Sequence, residues 1–227
     1  MFGLALTALL LVGVSGNSMF RSLQNMNTPC FKKCIDNGNT TIHDELSDDL
    51  DRICTSMADA RDCVAKCNVP FNPFDMKTVR SICSEERRAD FKKHSACYNE
   101  QVVYATNERC DKMCGSTEKM FEDVQRTAIT INAAKDFDFS GHLDSMGEVC
   151  TMAKCHARCS RDSFNELCRQ SDPTAGSFIQ QFNEDTLTAM NEDLKEIGIR
   201  EFMKRILPKE CHYMFNPAQL FNDMYPH

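Results

Sequence analysis

The sequence predicts an all-α fold, a disulfide-stapled multi-helix single domain, and three observations carry the prediction. Apolar residues recur at three- and four-residue intervals through most of the chain, and few stretches alternate with period two. Four cysteine pairs share the spacing C-x-x-x-C: Cys30/Cys34, Cys63/Cys67, Cys110/Cys114 and Cys155/Cys159. On an α-helix that spacing puts both sulfurs on one face, one turn apart. The chain holds fourteen cysteines in all, an even number that reads as up to seven disulfides in a secretory setting.

The compartment is read from the first residues. Leu4 to Val14 is an uncharged apolar run, followed by Ser15, Gly16 and Asn17. This is the pattern of a signal-peptide h-region ahead of small residues, with cleavage expected after Gly16. One part of the pattern is missing: no Lys or Arg precedes the run, so only the α-amino group supplies positive charge. The run is too short to cross a bilayer as a permanent helix, and no second long apolar stretch follows. The expected organisation is a signal peptide over 1–16, a flexible arm over 17–29 and a cysteine-rich helical domain over 30–227. The location expected is secreted and extracellular, with no stable membrane insertion.

Within the domain, Cys30 to Cys34 fits a short helical turn stopped by Asp36, Asn37, Gly38 and Asn39. Thr41 and Asp44 fit a capping box, and Leu46, Leu50, Ile53 and Met57 predict a helix over 42–57. A second helix is expected from Asp59 to Cys67, stopped by Pro70 and Pro73. Val79, Ile82 and Cys83 suggest a short helix. The longest helical signal runs from Glu85 to Cys114, with Phe91, Tyr98, Val102 and Ala105 on its stripe and Gly115 as C-cap. Thr117 to Ala134 also reads as helix, and Asp136 to His142 as a loop. Leu143 to Arg169 carries the second cysteine cluster on one or two helices. Phe182, Leu187, Met190 and Leu194 predict an amphipathic helix over Phe178–Ile197, ending near Gly198. A turn through Phe202 and Ile206 leads to Pro208, and Pro217–Met224 adds one helical turn.

Cysteine arithmetic constrains the whole. Nine cysteines (30, 34, 54, 63, 67, 83, 97, 110, 114) precede Ser140-Gly141, and five (150, 155, 159, 168, 211) follow it. Both counts are odd, so full pairing within the chain requires at least one bridge between the two parts. Connectivity stays open at this level. No tandem repeat emerges. The C-x8-C-x3-C spacing of Cys54, Cys63 and Cys67 returns only in mirrored order at Cys155, Cys159 and Cys168.

The series Pro29-Cys-Phe-Lys-Lys-Cys34, Ile53-Cys54, Asp62-Cys-Val-Ala-Lys-Cys67, Ile82-Cys83, Cys97 and Cys110-Asp-Lys-Met-Cys114 resembles the chondroitin proteoglycan 4 domain. That domain belongs to a family of nematode secreted cysteine-rich proteins, and related nematode families have comparable spacing. The resemblance covers Cys30 to Cys168 and extends toward Cys211. It implies an extracellular, non-enzymatic protein, either a chondroitin proteoglycan core or another matrix component. A secreted cysteine-rich binding module without glycosaminoglycan is the alternative, and a secreted hydrolase a remote one. The partners implied are extracellular matrix or secreted proteins, with no cofactor and no metal.

The candidate chemistry is sparse. Ser140, followed by Gly141 and preceded by Asp136 and Asp138, is the glycosaminoglycan attachment candidate, since xylosyl transfer needs an exposed, flexible hydroxyl. Turn chemistry, or Ser140 as an N-cap, explains the same residues. Asn39-Thr40-Thr41 is the one N-x-Ser/Thr sequon without an intervening proline and makes Asn39 the N-glycosylation candidate. Cys155, His156 and Cys159 have the ligand types of a zinc site, but His156 points away from the shared cysteine face, and an oxidising compartment favours disulfides. His43-Asp44 resembles a fragment of secreted phospholipase chemistry, without the adjoining cysteines or the calcium loop. No serine, histidine and acid form a recognisable local motif. The net charge of −7, with basic residues such as Arg87, Arg88, Lys92 and Lys93 interleaved with acids, gives no basis for nucleic-acid binding.

Overall fold

The computed structural model describes residues 28–34, 50–69, 71–119 and 139–222. The expected leader, the sequon at Asn39, His43-Asp44, the acids before Ser140 and most of the helix expected over 117–134 lie outside the described residues. Among those described, every regular element is helical. They fall into two compact units, one running to Glu100 and the other from Gln101.

The first unit holds α1 (29–34), α2 (Leu50–Ala65), α3 (Lys77–Ile82) and α4 (Glu85–Lys93). The core stripe of α2 is Ile53, Met57, Ala60 and Val64, at intervals of four, three and four, with Val64 wholly buried. The expected break between Met57 and Asp59 does not occur, and α2 runs through as one helix. Ser56, Met57, Ala58 and Asp59 carry neither Gly nor Pro, and burial of Ser56, Met57 and Ala60 outweighs weak local propensity. The chain leaves α2 through Asn68 in the left-handed region at φ 50°, a conformation Asn tolerates better than most side chains. Pro73 then opens a 3-10 turn, Pro73–Asp75. Asn72 holds this turn to α2: its Oδ1 accepts from Phe74 N at 3.1 Å and its Nδ2 donates to Arg61 O at 2.9 Å. Ser84 caps α4, accepting from Arg87 N at 3.2 Å, and Glu85 and Glu86 meet the positive end of the helix.

The predicted long helix from Glu85 to Cys114 is two helices. α4 ends at Lys93, and α5 starts at Glu100. His94 turns the chain, and Cys97 N and Tyr98 N both bond back to His94 O. Cys97 is disulfide-bonded and 1% exposed. The stripe that suggested continuity is partly local packing around this turn, with the Phe91 and Tyr98 rings 5.5 Å apart between centroids.

The second unit holds α5 (Glu100–Cys114), α6 (Phe139–Leu167), α7 (Ala175–Glu196), α8 (Arg200–Ile206), a 3-10 turn (Lys209–Met214) and α9 (Gln219–Asn222). Gly115 ends α5 at φ 100°, as the C-cap reading required. α6 is one helix of 29 residues and forms the spine, with α7, the 3-10 turn and α9 against it. α7 offers Phe178, Ile179, Phe182, Met190 and Leu194 to the core and stops at Gly198, φ 77°. Gly176 leaves no room between α7 and α6: a Cβ there would fall 2.5 Å from the Arg161 carbonyl oxygen. Buried Arg158 on α6 donates through Nε to Leu220 O at 2.6 Å, tying the last helix to the spine. Burial in this apolar seat also pushes the Tyr213 hydroxyl pKa upward.

Candidate functional site

Helical spacing sets how the cysteines meet. In the first unit α1 presents Cys30 and Cys34, and the end of α2 and the turn after it present Cys63 and Cys67. Outer joins outer and inner joins inner: Cys30–Cys67 and Cys34–Cys63, each with Cα atoms 5.7 Å apart. Two sulfur pairs one turn apart on antiparallel segments can only match in this crossed order without twisting either segment. In the second unit α5 presents Cys110 and Cys114, and α6 presents Cys155 and Cys159. The bonds are Cys110–Cys159 and Cys114–Cys155, each with Cα atoms 5.6 Å apart. The four C-x-x-x-C pairs are therefore two ladders of two rungs each.

A third bridge follows the same order in both units. The cysteine one to three turns earlier on the second arm of each ladder bonds to a cysteine downstream: Cys54–Cys83 in the first unit, Cys150–Cys211 in the second. With Cys97 and Cys168 set aside, the bonding order first-fifth, second-fourth, third-sixth occurs in both units. The sequence shows no tandem repeat, and this shared order appears only once the bonds are traced. Loop lengths hide it: the three bonds span 37, 29 and 29 residues in one unit and 49, 41 and 61 in the other. Bonding order depends on which helix faces meet, and spacing between helices does not preserve it. Cys97 and Cys168 are disulfide-bonded as well, so none of the fourteen is free. The odd-count argument holds, since Cys110–Cys159 and Cys114–Cys155 both cross Ser140-Gly141. The division between units nevertheless falls near residue 100, well before that dipeptide.

The ladders differ in their surroundings. Cys110 and Cys159 are each 1% exposed, and the wholly buried Ser163 Oγ lies 4.0 and 3.8 Å from their sulfurs. In the first unit Cys34 is buried, Cys63 and Cys67 are half-buried, and Cys30 is exposed. There the two rungs touch, Cys34 Sγ lying 3.7 Å from Cys67 Sγ. The sulfurs of Cys30, Cys34 and Cys67 all lie within 4.8 Å of one another.

The zinc-like group is taken apart by the same bonding. Cys155 and Cys159 belong to separate rungs, and His156, 6% exposed, places Nε2 2.7 Å from Gly115 O. Nε2 is also 3.8 Å from Asp111 Oδ1, which accepts from Thr117 N at 3.1 Å. His156 thus pins the end of α5 to α6. Among the described residues, ion pairs such as Asp51 with Lys92 and Glu166 with Arg109 lie toward the surface. A hydrogen bond from Lys92, joined by the charges of Lys92 and Arg88, holds the Asp51 carboxyl below its ordinary value against the opposing effect of desolvation. Arg109 does the same for Glu166 across α5 and α6 at 2.6 Å.

Ser140 does not lie in a loop. A loop is expected over 136–142, but α6 begins at Phe139, so Ser140 and Gly141 occupy its first turn. One glycine costs a helix only about 1 kcal/mol, less than a spine of this length recovers by packing. Among the described residues no helix is long and apolar enough to cross a membrane. A family model described as chondroitin proteoglycan 4 matches residues 17–222, a range that takes in the cysteines of both units. No curated protein and no solved structure matches the chain.

Proposed function

Because the chain belongs to the chondroitin proteoglycan 4 family, we propose that it acts outside the cell as a non-enzymatic structural protein, either a chondroitin-bearing core or a matrix component. The observation that carries the reading is the complete oxidation of fourteen cysteines into two crossed ladders and their satellite bridges. Disulfides at this density persist in oxidising compartments, which agrees with the leader-like Leu4–Val14 run. The framework serves rigidity: both ladders lock antiparallel helical arms, and Arg158, His156 and Ser163 are engaged in packing and hydrogen bonding within the second unit. A rigid carrier of this kind suits the display of glycans or the binding of matrix and secreted proteins.

Ser140 is the attachment site proposed for chondroitin. Its position in the first turn favours the second reading, a secreted binding module without glycosaminoglycan, since a helical serine is less available than one in a loop. Frayed first turns of helices do open, and transfer to Ser140 would use that opening. Intact-mass analysis of the secreted protein, before and after chondroitinase, tests the choice. A mass lowered by the enzyme in the native protein, and unchanged by it in Ser140→Ala, supports the proteoglycan core. A native mass equal to that of the bare oxidised chain refutes it and leaves the binding module.

A further inference from the structure

We propose that the first-unit ladder is a thiol-accepting modification site, with Cys30 as the atom attacked and Cys63 as the thiol released. Two independent observations carry this. Cys30 is the one exposed cysteine among the described residues, which include all fourteen. The two rungs of its ladder are also in sulfur contact, with Cys34 Sγ 3.7 Å from Cys67 Sγ.

The chemistry needs a small thiol and no oxidant. A thiolate attacks Cys30 Sγ, the sulfur of the one exposed residue of the ladder, and the Cys30–Cys67 bond breaks. The incoming sulfur is then bonded to Cys30, and the electron pair leaves on Cys67. That thiolate already touches Cys34 Sγ, so it attacks there, forming a Cys34–Cys67 bond and expelling Cys63. Cys63 takes up the proton lost by the incoming thiol. Two bridges and one thiol become one bridge, one mixed disulfide and one thiol, with no net oxidation or reduction. Contact at 3.7 Å makes the second step local, and the half-buried Cys63 reaches solvent more readily than Cys34. The Cys110–Cys159 rung of the second ladder has no such entry, because both of its cysteines are closed off beside Ser163. The ligand class is a small thiol or an exposed cysteine of another secreted protein, and the latter would cross-link the chain through Cys30.

The test uses the full-length oxidised protein under native conditions with reduced glutathione as probe. The reaction is quenched with N-ethylmaleimide and mapped by non-reducing peptide mass spectrometry. Glutathione is expected on Cys30, maleimide on Cys63 and a new Cys34–Cys67 bridge. Labelling at Cys30 should exceed that at Cys110 or Cys159 on the order of tenfold, since attack follows access. Maleimide on Cys67 in the native protein would overturn the exchange step. Glutathione first on a second-unit cysteine, or no adduct at all, would overturn the site. In a Cys34→Ala/Cys63→Ala variant the relay is absent, so maleimide should move to Cys67 while glutathione stays on Cys30. The map of the native protein decides the matter by itself if that variant fails to fold.

Discussion

Substituting Gly176 probes a close approach of α7 to α6. A Cβ built on Gly176 lies 2.2 Å from Asn165 Oδ1, 2.3 Å from Asn165 Cγ and 2.5 Å from the Arg161 carbonyl oxygen. The Asn165 side chain is exposed and can swing away. The Arg161 carbonyl is backbone of α6 and cannot, so α7 must shift by about 0.5 Å to reach the 3.0 Å that real Cβ contacts respect. Overpacking of this kind costs about 1–3 kcal/mol, and replacing glycine by alanine in a helix returns about 0.5–1 kcal/mol. Gly176→Ala should therefore lose up to about 2.5 kcal/mol, a fall in Tm of up to about 10 °C for a chain of this size. Calorimetry or urea denaturation of the oxidised protein measures it. Gly198 provides the contrast. Its φ is 77° and nothing lies within 4 Å of its Cβ position, so the cost there is conformational. Gly198→Asn should be milder than Gly198→Ala, since Asn tolerates the left-handed region, whereas Gly176→Asn should be worse than Gly176→Ala. Increased stability in Gly176→Ala, or Gly176→Asn no worse than Gly176→Ala, would refute the steric argument.

Two further predictions concern cross-links and charge. Removing the Cys114–Cys155 rung by double alanine substitution should cost about 3 kcal/mol, because the remaining rung leaves only a small ring to close, and removing Cys110–Cys159 as well should cost about 4 kcal/mol more. Urea midpoints of the two variants check this, and a first variant as unstable as the second would contradict it. Asp51, about a third exposed, has its folded pKa depressed below 3.8 by Lys92 and Arg88. Its contribution is complete above the unfolded value and fades as pH falls through the folded one. Asp51→Asn should thus lose about 0.2–1 kcal/mol at neutral pH and nothing in strong acid, with the difference shrinking in high salt.

Much of the helical framework was legible in local pattern. The stripes of α2 and α7 mark buried faces, Gly115 and Gly198 stop helices where they had to, and C-x-x-x-C spacing announces a shared face. The errors lie where long-range bonding overrides propensity. The join between α4 and α5 is broken around the buried, disulfide-bonded Cys97, and Asp59 is carried within a single α2 by the burial of neighbours on both sides. The start of α6 is not legible in local pattern, because Ser-Gly favours a turn when judged alone, while the helix begins at Phe139 and runs through it.

The ladders of the first and second units divide the matter most clearly. By itself the sequence determined that cysteines at i and i+4 lie together on helical faces, and that odd counts on either side of Ser140-Gly141 demand a crossing bridge. Both follow from the helix period and from counting. Only the tertiary structure decided that Cys30 meets Cys67 and Cys110 meets Cys159, that one bonding order serves two units, and that Cys30 alone among the described cysteines stands exposed. Those depend on which helices are antiparallel neighbours and on what covers each sulfur, and neither is a property of local spacing.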